Sequence, residues 1–103
     1  MIKYTLYIGC NDKDRKVQVI PSEGIRSIIT QTCMAAGLDG FTLSNASGVY
    51  KHDDGSLVIE STYRLEILFA SDAVIRKICD DLKKLLNQES IAVQVDKVNS
   101  YLA

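Results

Sequence analysis

Two kinds of hydrophobic periodicity follow one another along this chain, and their order predicts its architecture. Apolar and polar residues alternate along residues 2–9, 41–69 and 91–96, a period of two that is typical of strands with one buried face. Between residues 22 and 36, and again between 72 and 86, apolar residues recur at intervals of three and four, the spacing of an amphipathic helix. The pattern predicts two helices among several strands.

The stretch 41–69 is long enough for two strands. The sequence His52-Asp53-Asp54-Gly55 divides it as a hairpin turn would, because glycine adopts positive φ without a Cβ clash. We expect His52 to be an exposed residue of that turn. The run of small residues over 45–48 interrupts the alternation of the first of these strands, which predicts a β-bulge there.

Capping signals place the ends of the helices. Pro21-Ser22 predicts that the first helix begins with Ser22 as its N-cap, and Gly37 predicts its end. Ser71-Asp72 predicts the cap of the second helix.

The order strand-helix-strand-strand-helix-strand predicts an α+β, ferredoxin-like βαββαβ fold that forms one domain over residues 1–103. Right-handed crossovers place both helices on one face of a four-stranded antiparallel sheet with strand order 4-1-3-2. The sheet face under the helices is then expected to hold Tyr4, Leu6, Ile8, Leu43, Leu65, Ile67, Ile91 and Val93.

The opposite sheet face is left uncovered in this arrangement. It is expected to carry Lys3, Thr5, Tyr7, Thr42, Ser44, Glu60, Thr62, Arg64, Glu66, Gln94 and Asp96. This mixed polar set fits a solvated face, a self-association or partner-binding face, or a small-molecule site. RNA-recognition domains of this fold stack bases on two or three aromatic residues, whereas only Tyr7 is available here.

Composition excludes further classes of function. The chain has 103 residues and a formal charge of −1, which argues against general nucleic-acid binding. It contains no run of about 18 apolar residues that would span a membrane, and its N-terminus shows no secretory-signal pattern. Cys10, Cys33 and Cys79 are far apart and odd in number. They predict free thiols in a cytoplasmic protein rather than a metal site, and we expect neither a metal nor a cofactor.

One group of polar residues stands out as a candidate site. Glu60 follows the hairpin turn, Tyr50 precedes it, and Gln88-Glu89 lies before the last strand. Depending on register, Tyr50 and Glu60 share a face and form a hydrogen bond. This group is either a polar clasp that fixes strand register or a polar pocket at a sheet edge or subunit contact, with Arg64 as a partner for the Glu60 charge. We expect no catalytic set here.

Several short motifs resemble those of a bacterial family of small domains of unknown function. They are Leu6-Tyr7-Ile8-Gly9, Asp39-Gly40-Phe41-Thr42, Gly48-Val49-Tyr50, the single Glu60, and Gln88-Glu89-Ser90-Ile91. They occur in the family's order over most of the chain. Tyr50 stands where tryptophan is often seen, and the first loop is shorter and more acidic. The resemblance implies the fold and marks positions, but it implies no reaction.

The predicted sheet also resembles, more loosely, the PII-like signalling proteins, which bind nucleotides between subunits. Three functions follow as expectations. The first is a non-enzymatic protein-interaction or regulatory module, homo-oligomeric through a bare edge strand. The second is a PII-like sensor of nucleotides or amino acids, with its ligand at a subunit interface near Thr42, Ser44 and Glu60. The third is a small mobile-element protein that inhibits a bacterial defence system. We do not expect the protein to be an enzyme that uses Glu60 as an acid or base.

Overall fold

The structure, a computed structural model, describes residues 1–51 and 54–103. Its element order confirms the predicted βαββαβ fold: β1 (Ile2–Gly9), α1 (Ser22–Ala35), β2 (Thr42–Lys51), β3 (Leu57–Ile67), α2 (Asp72–Leu85) and β4 (Ala92–Lys97). The predictions for His52 and Asp53 lie outside the described residues. None of the described helices has the length and apolar character needed to cross a membrane.

The four strands form one sheet in the order β2-β3-β1-β4, with every neighbouring pair antiparallel. This is the predicted order 4-1-3-2. Both helices pack on the same side of the sheet, because the buried strand residues are alternate ones and join helix residues in a single core. That core includes Tyr4, Leu6, Ile8, Tyr63, Leu65 and Ile67 from the strands and Ile25, Ile29, Cys33, Ile75, Ile78 and Leu82 from the helices.

The core is tied to the first helix by one side-chain hydrogen bond. The hydroxyl of Tyr63 donates to the carbonyl of Ser22 at 2.9 Å, so the buried phenol is satisfied where β3 meets the start of α1.

The outer strand β4 departs from the expected burial. Val93, predicted to be buried, is 41% exposed, and Val95 on the same side is 58% exposed. Both face the helical side, since they pair with Leu6 and Tyr4. The helices therefore leave part of this edge of the sheet uncovered.

The helix ends agree with the capping signals except at one residue. Ser71 Oγ accepts the N–H of Val74 at 3.3 Å, as an N-cap does. Gly37 has φ 89° after α1, the left-handed conformation expected of a helix end. Ser22 is not the N-cap of α1, because Pro21 occupies that position and no side chain caps the helix. Ser22 Oγ instead accepts from Gln18 Nε2 at 3.2 Å.

The predicted bulge in the second strand is wrong. β2 pairs with β3 without interruption from Thr42↔Glu66 to Lys51↔Leu57. The small residues keep the ladder regular rather than breaking it: Gly48 lies opposite Glu60, and a Cβ there would come within 2.8 Å of Thr62 Oγ1. A side chain at position 48 would therefore come too close to the Thr62 hydroxyl, which favours glycine there.

Candidate functional site

A solvent-open cavity of about 430 Å³ lies on the uncovered side of the sheet, beside the end of β1. Four separate stretches of chain build it: the end of β1 with the following loop, β2, β3, and the connection from α2 into β4. Its lining residues are Tyr7, Gly9, Asn11, Asp12, Lys13, Lys16, Tyr50, Val58, Glu60, Gln88, Glu89, Ser90 and Ala92.

The Glu60 carboxylate is held in this pocket by the loop that follows β1. β1 ends at Gly9, opposite Thr62, so Glu60 lies just past the end of β1 and beside the loop that follows it. The backbone N–H of Asn11 donates to Glu60 Oε2 at 3.0 Å. The other oxygen, Oε1, accepts no hydrogen bond from any described residue, so one face of a partly buried carboxylate is available to a ligand in the pocket.

Gly9 allows the carboxylate to sit where it does. A Cβ on Gly9 would lie 2.7 Å from Oε1 and 2.9 Å from Oε2 of Glu60. Such distances are far shorter than carbon–oxygen contacts at van der Waals separation. The absence of a side chain at this position is therefore part of the construction of the site.

Two tyrosines contribute to the pocket from β2 and β1, the strands on either side of β3. Tyr50 pairs with Val58 and shares the open face with Glu60, as predicted. The pKa of the Tyr50 phenol is raised by burial and, to a smaller extent, by the Glu60 charge. The phenol is therefore protonated at neutral pH and can act as a hydrogen-bond donor. Tyr7 is fixed differently, because its hydroxyl donates to Gln94 Oε1 at 2.9 Å.

The loop after β1 is held in place by the connection between α2 and β4. Asn87, which has φ 49°, donates its side-chain amide to Asp12 Oδ2 at 2.8 Å and to Asp14 Oδ2 at 2.9 Å. Its carbonyl accepts from the N–H of Lys13 at 3.1 Å, and Gln88 Nε2 donates to the carbonyl of Asn11. Because Asn11 also holds Glu60, this contact between the two loops fixes the wall of the pocket that positions the carboxylate.

The charges around the pocket are mixed and slightly acidic. Its lining includes the carboxylates of Glu60, Glu89 and Asp12 and the ammonium groups of Lys13 and Lys16. The pKa of Asp12 is lowered, first by the hydrogen bond from Asn87 and then by the backbone N–H groups of the loop. This pocket therefore matches a ligand with both signs of charge and a small cationic excess better than a polyanion.

The predicted site residues fall into two groups. Tyr7, Tyr50, Glu60, Gln88 and Glu89 all line the pocket. Thr42, Ser44 and Arg64 lie outside it, further along the same face, where Ser44 pairs with Arg64 and Thr42 with Glu66.

The predicted ion pair between Arg64 and Glu60 does not form among the described residues. Four residues along a strand span about 13 Å, so both side chains would have to extend fully toward each other, whereas Glu60 is held by the N–H of Asn11. Asn11, Asp12 and the two lysines were not identified from sequence. Their loop has no periodicity, and the only signal was its density of polar residues.

The cysteines contribute no chemistry to the pocket. Cys10 and Cys33 are buried and Cys79 is half-buried, and all three are free thiols. Burial, together with the nearby Glu60 charge, raises the pKa of Cys10 to about 11, so its thiol is protonated and unreactive at neutral pH. Within residues 1–51 and 54–103, no group of three or more His, Cys, Asp or Glu side chains is placed to hold a metal ion.

Solved structures of other proteins share this fold. A phage S-adenosylmethionine lyase in complex with S-methyl-5′-thioadenosine matches at 19% identity and a TM-score of 0.67, over 93% of this chain and 80% of that one. The GlnK–ATP complex of B. subtilis matches at 16% identity and a TM-score of 0.59, over 93% and 84%. A DUF3240 family protein from Shewanella baltica matches at 14% identity and a TM-score of 0.56, over 99% and 97%. At these identities the likeness establishes the fold alone.

No curated protein sequence matches this chain. The model of one family does match, over residues 3–101, which is nearly the whole chain. This confirms the resemblance to a family of small domains without an assigned activity. The chain belongs to the family described as protein of unknown function DUF3574.

Proposed function

We propose that this chain is a regulatory module that binds an adenosine-containing small molecule in the pocket around Glu60 and leaves it unchanged. The observation that carries the proposal is the Glu60 carboxylate. One oxygen is held by the N–H of Asn11, Gly9 leaves room for the group, and the second oxygen borders a cavity of about 430 Å³. Cavities of roughly 300–1,000 Å³ are the size that holds small-molecule ligands.

The chemistry of the lining supports an adenosyl ligand. A carboxylate accepts hydrogen bonds from ribose hydroxyls, and the tyrosines offer ring faces and edges to a base. Two of the proteins that share the fold have adenosine-containing ligands in their structures, S-methyl-5′-thioadenosine in one and ATP in the other. Those ligands belong to those proteins, and they set the first compounds to test here.

Charge favours S-adenosylmethionine over ATP within this class. S-adenosylmethionine carries a sulfonium, an ammonium and a carboxylate, so it has both signs of charge and a net positive one. The pocket offers three carboxylates, Glu60, Glu89 and Asp12, against two ammonium groups, Lys13 and Lys16. The triphosphate of ATP would meet this acidic excess without enough cations to balance it.

Isothermal titration calorimetry with S-adenosylmethionine, S-methyl-5′-thioadenosine and ATP tests the proposal. We expect the first two to bind and ATP to bind more weakly. Glu60→Gln should weaken binding by about 10- to 150-fold, since a hydrogen bond to a charged group is worth about 1.5–3 kcal/mol. Glu66→Gln is the matched control: it makes the same change on the same strand and face, outside the pocket.

Two results would count against the proposal. One is the lack of any heat of binding or thermal stabilisation with all three compounds, because a ligand at 100 times its Kd adds about 2.7 kcal/mol of stability. The other is an equal loss of affinity in Glu60→Gln and Glu66→Gln, which would place the ligand elsewhere on the open face.

A second candidate is cleavage of the bound S-adenosylmethionine. The carboxylate of the ligand attacks its own Cγ, a lactone C–O bond forms as the C–S bond breaks, and S-methyl-5′-thioadenosine leaves with the electron pair of that bond, so no co-reactant is needed. This cleavage is favoured by the presence of a fixed carboxylate, Glu60, and a protonated phenol, Tyr50, in one pocket. Chromatography of S-adenosylmethionine incubated with the protein distinguishes the candidates. Protein-dependent release of S-methyl-5′-thioadenosine that is lost in Glu60→Gln and Tyr50→Phe favours the enzyme, and intact ligand that remains bound favours the regulatory module.

A further inference from the structure

The β2–β3 hairpin extends past the end of β1 and exposes apolar side chains there. β1 ends opposite Thr62, while the hairpin ladder continues to Lys51↔Leu57. On the helical side of this extension, Val49 is 62% exposed, Leu57 68% and Ile59 72%. Val49 and Ile59 are a directly opposed pair, so the exposed residues form one apolar patch, called here the hairpin patch (Val49, Leu57 and Ile59).

A second apolar surface lies at the opposite edge of the sheet. It is a groove of about 410 Å³ between α2 and the outer strand β4, called here the edge groove. Its apolar lining is Ile75, Cys79, Ile91, Val93 and Val95, and the charged residues Asp72, Arg76, Asp80 and Lys83 border it. Val93 and Val95 are the residues of β4 that the helices leave uncovered.

We infer that the hairpin patch of one copy of this chain packs into the edge groove of another. The two surfaces are complementary in shape, because one is a projecting ribbon and the other is a groove. Both are rich in β-branched aliphatic residues, and both adjoin the outer strands of the sheet, β2 and β4. A projecting apolar patch and an apolar groove at different places on one molecule make a heterologous contact, and such a contact closes into a ring when its rotation permits.

The available area argues against the simpler arrangement in which two hairpin patches face each other. A ribbon two strands wide and about five residues long measures roughly 10 Å by 17 Å. One face of it is small compared with the roughly 800 Å² that each partner buries in a stable complex. In the heterologous arrangement each copy uses its hairpin patch with one neighbour and its edge groove with the other. Each contact is no larger than a patch-to-patch contact, but in a closed ring every copy is held by two contacts instead of one.

Light scattering after size exclusion, at about 100 μM protein, tests this inference with two single variants. Ile59→Lys disrupts the hairpin patch and leaves the edge groove intact, and Val95→Lys does the reverse. Val17→Lys is the control, since Val17 is 57% exposed and Val95 58%, and Val17 lies in neither surface. Far-UV circular dichroism confirms that each variant is folded.

We expect the natural protein and Val17→Lys to be oligomers, and each of the other two variants alone to have the 11.4 kDa mass of one chain. An equimolar mixture of Ile59→Lys and Val95→Lys brings together only one intact patch and one intact groove. Its mass should therefore rise above that of one chain as the protein concentration is increased, and it should never exceed twice that mass. A monomeric natural protein, a variant that still associates alone, or a mixture that stays monomeric would each overturn the inference.

Discussion

Replacing Gly9 by alanine tests the construction of the pocket directly. A methyl group at this position would lie 2.7 Å from Oε1 and 2.9 Å from Oε2 of Glu60, so the carboxylate must move away. Its movement breaks the 3.0 Å hydrogen bond from the N–H of Asn11. The group is only partly buried and regains contact with water, so the low end of the range for a charged hydrogen bond applies, about 1.5 kcal/mol.

An opposing effect reduces the net cost. Alanine restricts the unfolded chain more than glycine does and stabilises the folded state by about 0.4–1 kcal/mol where it fits. We therefore expect Gly9→Ala to lower the free energy of unfolding by about 0.5–1 kcal/mol, and the melting temperature by roughly 2–8 °C for a domain of this size. Urea unfolding followed by circular dichroism measures the first quantity, with an unchanged slope indicating an unchanged folded state.

A double-mutant cycle identifies the cause of that cost. In a Glu60→Ala background the carboxylate is gone, so Gly9→Ala should cost nothing and can become slightly stabilising. Gly40→Ala is the matched control, because nothing lies within 4 Å of a Cβ built on Gly40. If Gly9→Ala destabilises the protein equally with and without the Glu60 carboxylate, the strain arises in the backbone and our account of Gly9 is wrong.

Three further predictions concern stability. Tyr63→Phe leaves the Ser22 carbonyl without its 2.9 Å donor and should cost about 1 kcal/mol in urea unfolding; no change would mean that water replaces the phenol. The lowered pKa of Asp12 stabilises the folded state above the ordinary carboxyl pKa, about 3.9, and this stabilisation is lost as pH falls through the lower folded value. Asn87→Ala should therefore reduce the loss of stability on acidification below pH ~4, and an unchanged acid profile would contradict this. The pKa of Cys10 is raised to about 11, so unfolded chains ionise first and stability should fall as pH rises from about 8.5. Cys10→Ala should lessen that fall, and an identical alkaline profile would show that the thiol plays no part.

The fold was predictable because its signals are local. The alternation along residues 2–9 and 57–67 indicates which side of each strand is buried. Gly37 and Ser71 lie next to the helix ends that they mark, Gly37 after α1 and Ser71 before α2. Once the six elements are known, the right-handed crossover rule leaves few arrangements. The error at Val93 came from assuming that two helices cover all four strands equally.

The pocket was less predictable, because its contacts join residues that are distant in sequence. Asn11 and Glu60 are 49 positions apart, and Asn87 and Asp12 are 75 apart. Polar loop residues have no periodicity that would report their partners. The shared face of Glu60 and Tyr50 could be proposed from the alternation along the hairpin, subject to its register. The role of Gly9 depended on the position of the Glu60 side chain, two residues along β3 from Thr62, the residue that pairs with Gly9.

The pocket and the proposed contact between copies can be separated experimentally, because they lie on opposite sides of the sheet. Glu60 shares the open face with Tyr50, while Ile59, the next residue along, faces the helical side. A charge at Ile59 should therefore abolish association without touching the carboxylate, and Glu60→Gln should weaken a ligand without touching the hairpin patch. If Ile59→Lys also removed ligand binding in full, a neighbouring copy would have to complete the pocket, and a monomer could not bind by itself.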